Sequence, residues 1–225
     1  MSENASGQAC SIQPEAAEHK PGSISFGVLL TAKTEENIMM VSSPFELHLI
    51  FPLLHVLGAN GILLEYEDMY PYDGELKPLR ANDAYSPSEV KEILKLAKSH
   101  DLEVIPLIQT FGHMENFATS GSGNVPNTVN PHKEDSLKLV IAMIEQVMAL
   151  HDDLRWFHIG CDEVMCITLV KGRIQGMAAA RKNTIEKLCL AHMKAVASHI
   201  VSTHPTVKPI VWDDMLRRMS KETLR

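Results

Sequence analysis

The sequence predicts an α/β fold built on a parallel sheet, and three observations carry the prediction. Stretches of helical periodicity alternate with short apolar runs along most of the chain. Chemically capable side chains follow run after run: Glu65 to Asp68, Gln109 to Glu115, Asp162-Glu163 and Asp213-Asp214. Neither a Gly-x-Gly-x-x-Gly turn nor a P-loop is present, which disfavours a nucleotide site. Alternation alone leaves an open doubly wound sheet or a barrel. Residues gathered from several strand ends are how a (β/α)8 barrel of the TIM type builds its site.

Met1 to Gly22 is rich in Ser, Ala, Glu and Gly and reads as a disordered tail. Residues 23–225 then form the folded domain. Ile24 to Leu30 is β-compatible but too short to assign. Pro44 to Leu57 is densely apolar and stops before Gly58, as a helix does. Gly61 to Tyr66 reads as a buried strand. Ser86-Pro87-Ser88-Glu89 starts a helix, with Ser as N-cap, Pro at the first helical position and Glu completing a capping box. That helix runs to Ser99, with Val90, Ile93, Leu94 and Ala97 on one face. Leu102 to Ile108 is the next strand. Asn130-Pro131 with Glu134 opens a helix that runs to Leu150. Trp156 to Gly160 is a strand, Asn183 to Thr203 a helix, and Pro209 to Trp212 a last strand.

The bulk numbers exclude some functions. A 225-residue chain with 45% hydrophobic and 22% charged residues has the composition of one soluble domain with a real core. A formal net charge of −7 argues against a nucleic-acid partner. No apolar run reaches the ~18–20 residues that span a bilayer, and Met1 to Lys20 lacks the basic and apolar regions of a secretory signal. A cytoplasmic or nuclear protein follows as the expectation. Cys10, Cys161, Cys166 and Cys189 form no Cys-x-x-Cys and no zinc spacing, so free thiols in a reducing compartment are expected. No metal and no cofactor is expected; His and acid residues at several strand ends also fit a metal-dependent barrel hydrolase, but no His-x-His or His-Glu-x-x-His spacing supports that alternative. A homodimer is compatible with the sequence.

The richest stretch is His158-Ile159-Gly160-Cys161-Asp162-Glu163, where an apolar run ends in adjacent carboxylates. Neighbouring strand residues face opposite ways. Asp162 and Glu163 therefore share a pocket only if the chain is already turning, and Gly160 supplies freedom for that turn. A solvated acidic pair at a strand end is the ordinary alternative.

His-x-Gly-x-Asp-Glu resembles the catalytic signature of the family 20 glycoside hydrolases, the β-N-acetylhexosaminidases. The segments Gly58 to Tyr72, Tyr85 to Glu89, Gln109 to Glu115 and Val211 to Met215 strengthen the likeness. The resemblance runs in blocks from Pro44 to Met215. It implies hydrolysis of terminal non-reducing N-acetyl-D-hexosamine from N-acetyl-β-D-hexosaminides, with a glycoconjugate or oligosaccharide as partner. In such enzymes the substrate's 2-acetamido oxygen replaces an enzymic nucleophile. Glu163 matches the family's general acid/base. Asp162 matches the residue that orients the acetamide and stabilises the oxazolinium intermediate. His158 matches the motif's histidine, and His113 the Gly-His loop. For substrate binding, Glu67 and Asp68 lie beside Tyr66, Tyr70 and Tyr72, a set suited to sugar hydroxyls and pyranose faces. Trp212 with Asp213 repeats that combination at the last strand.

About five strand–helix units are visible, so the barrel is expected to be incomplete, as in a truncated or alternatively spliced product. Ser23 to Val41 does not match the family's first strand. Met165 to Lys182 lacks the aromatic, Gly/Glu-rich segment that should follow the acid pair. Open sheet edges and exposed apolar surface are expected in consequence, with little or no catalysis by the chain alone.

Overall fold

β1 (Gly27–Thr31), β2 (Gly61–Glu65), β3 (Glu103–Leu107), β4 (Trp156–His158) and β5 (Lys208–Ile210) form one all-parallel sheet, in that order. The computed structural model describes residues 27–31, 44–112, 134–162, 185–217 and 219–224. An order that never reverses settles the choice left by the sequence. With right-handed crossovers it puts every connecting helix on the same face. A doubly wound sheet needs a reversal, and none occurs among the described strands. The sheet is therefore an arc of a (β/α) barrel.

The run left unassigned by the sequence is a strand. β1 pairs in register with β2 from Gly27 opposite Gly61 to Thr31 opposite Glu65. Its pairing is set by its neighbour rather than by its own pattern. Among the described strands, β1 pairs only with β2 and β5 only with β4.

Helix α1 (Pro44–Val56) buries Leu47, Phe51 and Leu54 against the sheet. Its outer side is also apolar: Leu49 is 70% exposed and Val56 80%, with Leu53 and Leu57 beside them. The expected apolar surface thus lies on this helix. Helix α2 (Pro87–Ser99) starts with the predicted capping box. Ser86 Oγ accepts from the Glu89 amide at 3.2 Å, and the Ser86 amide donates to Glu89 Oε2 at 2.7 Å. Its Val90, Ile93 and Ala97 are buried. Helix α3 (Glu134–Leu150) buries Val140, Met143, Ile144 and Val147. Helix α4 (Ile185–Thr203) presents Cys189, Met193, Val196 and Ile200 to the same core. A short α5 (Asp214–Arg217) follows β5.

Candidate active site

The site is built where β4 runs out. Hydrogen bonding continues beyond the last strand residue: the Ile159 amide donates to Ile210 O at 2.8 Å and the Trp212 amide to Gly160 O at 3.1 Å. The backbone then turns sharply. Gly160 has φ +65° and Cys161 has φ +68°, two consecutive left-handed residues. The sequence argument made a pocket shared by the acid pair conditional on a turn, and a turn is present before Asp162. Glycine is needed at its first position. A Cβ on Gly160 would lie 2.1 Å from Gln109 Oε1 and 3.2 Å from Gln109 Cα. Cys161 takes the second position with a side chain fully buried, and burial pushes its thiol up to about 12.

Asp162 leaves the turn half-buried. Its charge acts on His158, whose own position is fixed by the same turn. The Gly160 amide donates to His158 Nδ1 at 3.0 Å, so the ring carries its proton on Nε2 and is neutral. Burial holds His158 down to about 4, against the opposing pull of Asp162. The imidazole packs on the Trp212 indole at 4.5 Å between centroids. Asp162, His158 and Trp212 thus meet around the ends of β4 and β5. His158 supports the turn and the indole from within the core, being 2% exposed.

The end of β3 forms the next wall. Gln109 Nε2 donates to Glu65 Oε1, at the end of β2, at 3.1 Å. Gln109 Oε1 is buried against Gly160 with no hydrogen-bond partner among the described residues. Thr110 is fully buried. Its hydroxyl donates to Ile159 O at 2.7 Å and lies 3.2 Å from Cys161 Sγ. Its carbonyl accepts from His192 Nε2 of α4 at 2.8 Å, and the His192 ring stacks on Phe111. The sequence reading gave these residues no role. The available signal was a polar Gln-Thr pair directly after an apolar strand.

Glu163 and His113 lie outside the described residues, as does Glu115. Glu67 and Asp68 stand in a 3-10 turn (Glu67–Met69) after β2, both half-buried, with Glu67 at φ +45°. The Asp68 carbonyl accepts from the Ala81 amide at 2.8 Å. Asp213 is drawn to solvent: Arg217 donates to both its oxygens, at 2.6 and 2.7 Å, and this pairing holds the carboxyl below its usual range.

One expectation is corrected. Tyr66, Tyr70 and Tyr72 do not offer faces to a sugar, because all three are core residues no more than 1% exposed. Their rings pack edge-on and tilted against each other. Tyr70 donates to Gln146 O at 2.6 Å. Tyr66 OH lies 3.0 Å from His151 Nε2, and His151 Nδ1 lies 2.8 Å from Val147 O. A carbonyl only accepts, so His151 donates through Nδ1 and accepts the Tyr66 hydroxyl proton at Nε2. Among the described residues no three His, Cys, Asp or Glu side chains converge to hold a metal ion, and no helix is long and apolar enough to cross a membrane.

The family model for "Glycosyl hydrolase family 20, catalytic domain" matches residues 51–224. Hexosaminidase D of Bos taurus is 55% identical over 182 residues, covering 78% of this chain and 52% of that protein. Hexosaminidase D of Homo sapiens is 51% identical over 187 residues, covering 78% and 37%. The chain therefore spans about half the length of the bovine relative and less of the human one. Among solved structures, Flavobacterium johnsoniae chitobiase superposes with a TM-score of 0.69 at 16% identity, covering 89% of this chain and 32% of that one. Streptomyces plicatus N-acetyl-β-hexosaminidase, solved with thio-NAglucal, gives 0.61 at 16% identity, covering 89% and 44%. Those two likenesses establish the shared fold, and the match over residues 51–224 establishes the lineage: this chain belongs to glycosyl hydrolase family 20 and carries part of its catalytic domain.

Proposed function

We propose that the chain carries the acid pair of a β-N-acetylhexosaminidase that releases terminal non-reducing N-acetyl-D-hexosamine with retention of configuration. The observation that carries this reading is the left-handed turn at Gly160-Cys161. It delivers Asp162 to the end of β4, where its charge acts on His158, the residue that packs on Trp212, with Glu163 next in the chain. A structural relative, Streptomyces plicatus β-hexosaminidase, has been solved with its product GlcNAc.

The reaction assigned to these residues runs in two steps. The substrate's acetamide oxygen attacks the anomeric carbon as Glu163 protonates the departing glycosidic oxygen, giving an oxazolinium and the free aglycone. Glu163, now ionised, then takes a proton from water as that water opens the oxazolinium to the sugar. Asp162 stays ionised, holds the acetamide N–H and balances the positive ring. Trp212 offers an aromatic face to the pyranose, and Glu67 and Asp68 offer acceptors to its hydroxyls.

The test is release of a chromogenic aglycone from an N-acetyl-β-hexosaminide. Glu163→Gln should lower turnover by ~10²-fold or more while the fold survives. Near-normal turnover in that variant would remove Glu163 from the mechanism.

A second reading rests on the outer edges of β1 and β5, which pair with no further strand among the described residues, and on the exposed outer side of α1. On that reading the chain folds but turns over little substrate alone, and dyes for exposed apolar surface bind it. Robust hydrolysis by a monodisperse, cooperatively melting chain would dismiss it.

A further inference from the structure

We propose that Thr110 is a positioning residue for Asp162, holding the turn from which Asp162 emerges; this rests on the reaction proposed above. The reasoning starts from the backbone. A left-handed conformation is natural for Gly160 but strained for Cys161, which carries a side chain. Strained backbone persists only where its surroundings over-determine it. The segment leading into the turn is held by the β5 end, through Ile159 to Ile210 and Trp212 to Gly160, and by His158 Nδ1. On the Cys161 side the thiol makes a long contact of its own, donating to Ile159 O at 3.4 Å, and a shorter anchor comes from the other neighbouring strand. Thr110 Oγ1 bridges Ile159 O at 2.7 Å and Cys161 Sγ at 3.2 Å, so one hydroxyl spans both ends of the strained pair.

Thr110 is itself anchored. Its carbonyl accepts from His192 Nε2 at 2.8 Å, and His192 is buried on α4 against Phe111. A line of contacts thus runs from α4 through the end of β3 to the residue before Asp162. Packing alone does not call for threonine here. Valine fills the same space, and a buried hydroxyl is costly unless bonded. The hydroxyl is enclosed, so it touches no substrate and acts through the turn.

The experiment compares Thr110→Val and Thr110→Ser in the full chain, with two readouts. The first is the labelling rate of Cys161 by a thiol reagent in the native protein, with fragment-ion mapping to separate it from Cys166. A clamped, buried thiol reacts only when the turn opens. Thr110→Val should label about tenfold faster, and Thr110→Ser, which keeps the hydroxyl, should label nearly as slowly as the wild type. The second is hydrolysis of the chromogenic N-acetyl-β-hexosaminide, with binding of a thiazoline mimic of the oxazolinium measured alongside. Thr110→Val should lower kcat by ~10-fold or more with KM nearly unchanged, because small misplacements of reacting groups cost rate steeply. Serine should restore most of it. An unchanged labelling rate in Thr110→Val overturns the clamp, whatever the activity. Faster labelling with unaltered kcat overturns the positioning role. A wild-type chain that neither binds the thiazoline nor turns over takes down the proposed reaction, and the positioning role with it, while the labelling still judges the clamp.

Discussion

Replacing Gly160 by alanine tests the turn most directly, and its cost can be worked from the structure. At φ +65° an L-residue pays about 1–2 kcal/mol for the left-handed backbone. The new Cβ would also stand 2.1 Å from Gln109 Oε1 and 2.8 Å from Cδ. Those atoms can swing away, but doing so breaks the 3.1 Å hydrogen bond from Gln109 Nε2 to Glu65. A bond to a carboxylate contributes roughly 1.5–3 kcal/mol. The 3.2 Å approach to Gln109 Cα cannot be relieved by a side-chain rotation. The sum is about 2.5–5 kcal/mol, a large part of the ~5–15 kcal/mol that holds a typical domain. Gly74→Ala is the control, since Gly74 has φ +61° and nothing within 4 Å of its Cβ position. It should lose only the backbone component. Urea unfolding of both variants isolates the steric part by difference, and Gly160→Ala should cost less in a Gln109→Ala background, where the hydrogen bond to Glu65 is already gone. Equal losses in Gly160→Ala and Gly74→Ala would refute the packing of the Gln109 amide on this turn.

Asp162→Asn should slow hydrolysis of 2-acetamido substrates by ~10-fold or more, and thiazoline mimics should bind the wild type better than the substrate does; a covalent glycosyl–carboxylate adduct trapped on the protein would replace this mechanism with the two-carboxylate one. Stability should fall as pH drops from 6.5 towards 4, because burial holds His151 and His158 at about 4 while the unfolded chain takes up protons near 6.5. Each contributes on the order of 3 kcal/mol across that window, so an unchanged urea midpoint between pH 7 and pH 4.5 would contradict the neutral, buried placement of both rings. Chelation by EDTA should leave hydrolysis intact, and activity lost to EDTA and restored by zinc would favour a metal-dependent hydrolase.

What the sequence made legible was local. The Ser86–Glu89 capping box lies within one turn, so four residues announce it. The alternation of helices and strands follows from periodicity, and the need for a turn before Asp162 follows from strand geometry alone. What stayed hidden depends on partners far along the chain. Tyr66, Tyr70 and Tyr72 follow a strand end as sugar-binding aromatics do. Their hydroxyl partners, His151 and Gln146, lie more than seventy residues away, and only the fold brings them close. β1 is a strand because β2 stands beside it, and its own composition is neutral on the matter. Thr110 stood out only as part of a polar pair after a strand, and its task stayed hidden because its partners, Ile159, Cys161 and His192, come from two other units. Asp213 is different: Arg217 four residues on is an ordinary helical ion pair that the sequence did offer.

The unbroken strand order also governs how the domain can be made. Each strand docks on the one synthesised just before it, so a nascent chain always has its template already in place. β2 can pair once β1 has emerged, and every later strand–helix unit extends an existing edge. Among the described strands, none has to wait for a segment still inside the ribosome. Growth of that kind favours sequential assembly from the N-terminal side. It also means that the advancing edge, with its free amides and carbonyls, is the surface most exposed to mispairing while synthesis continues.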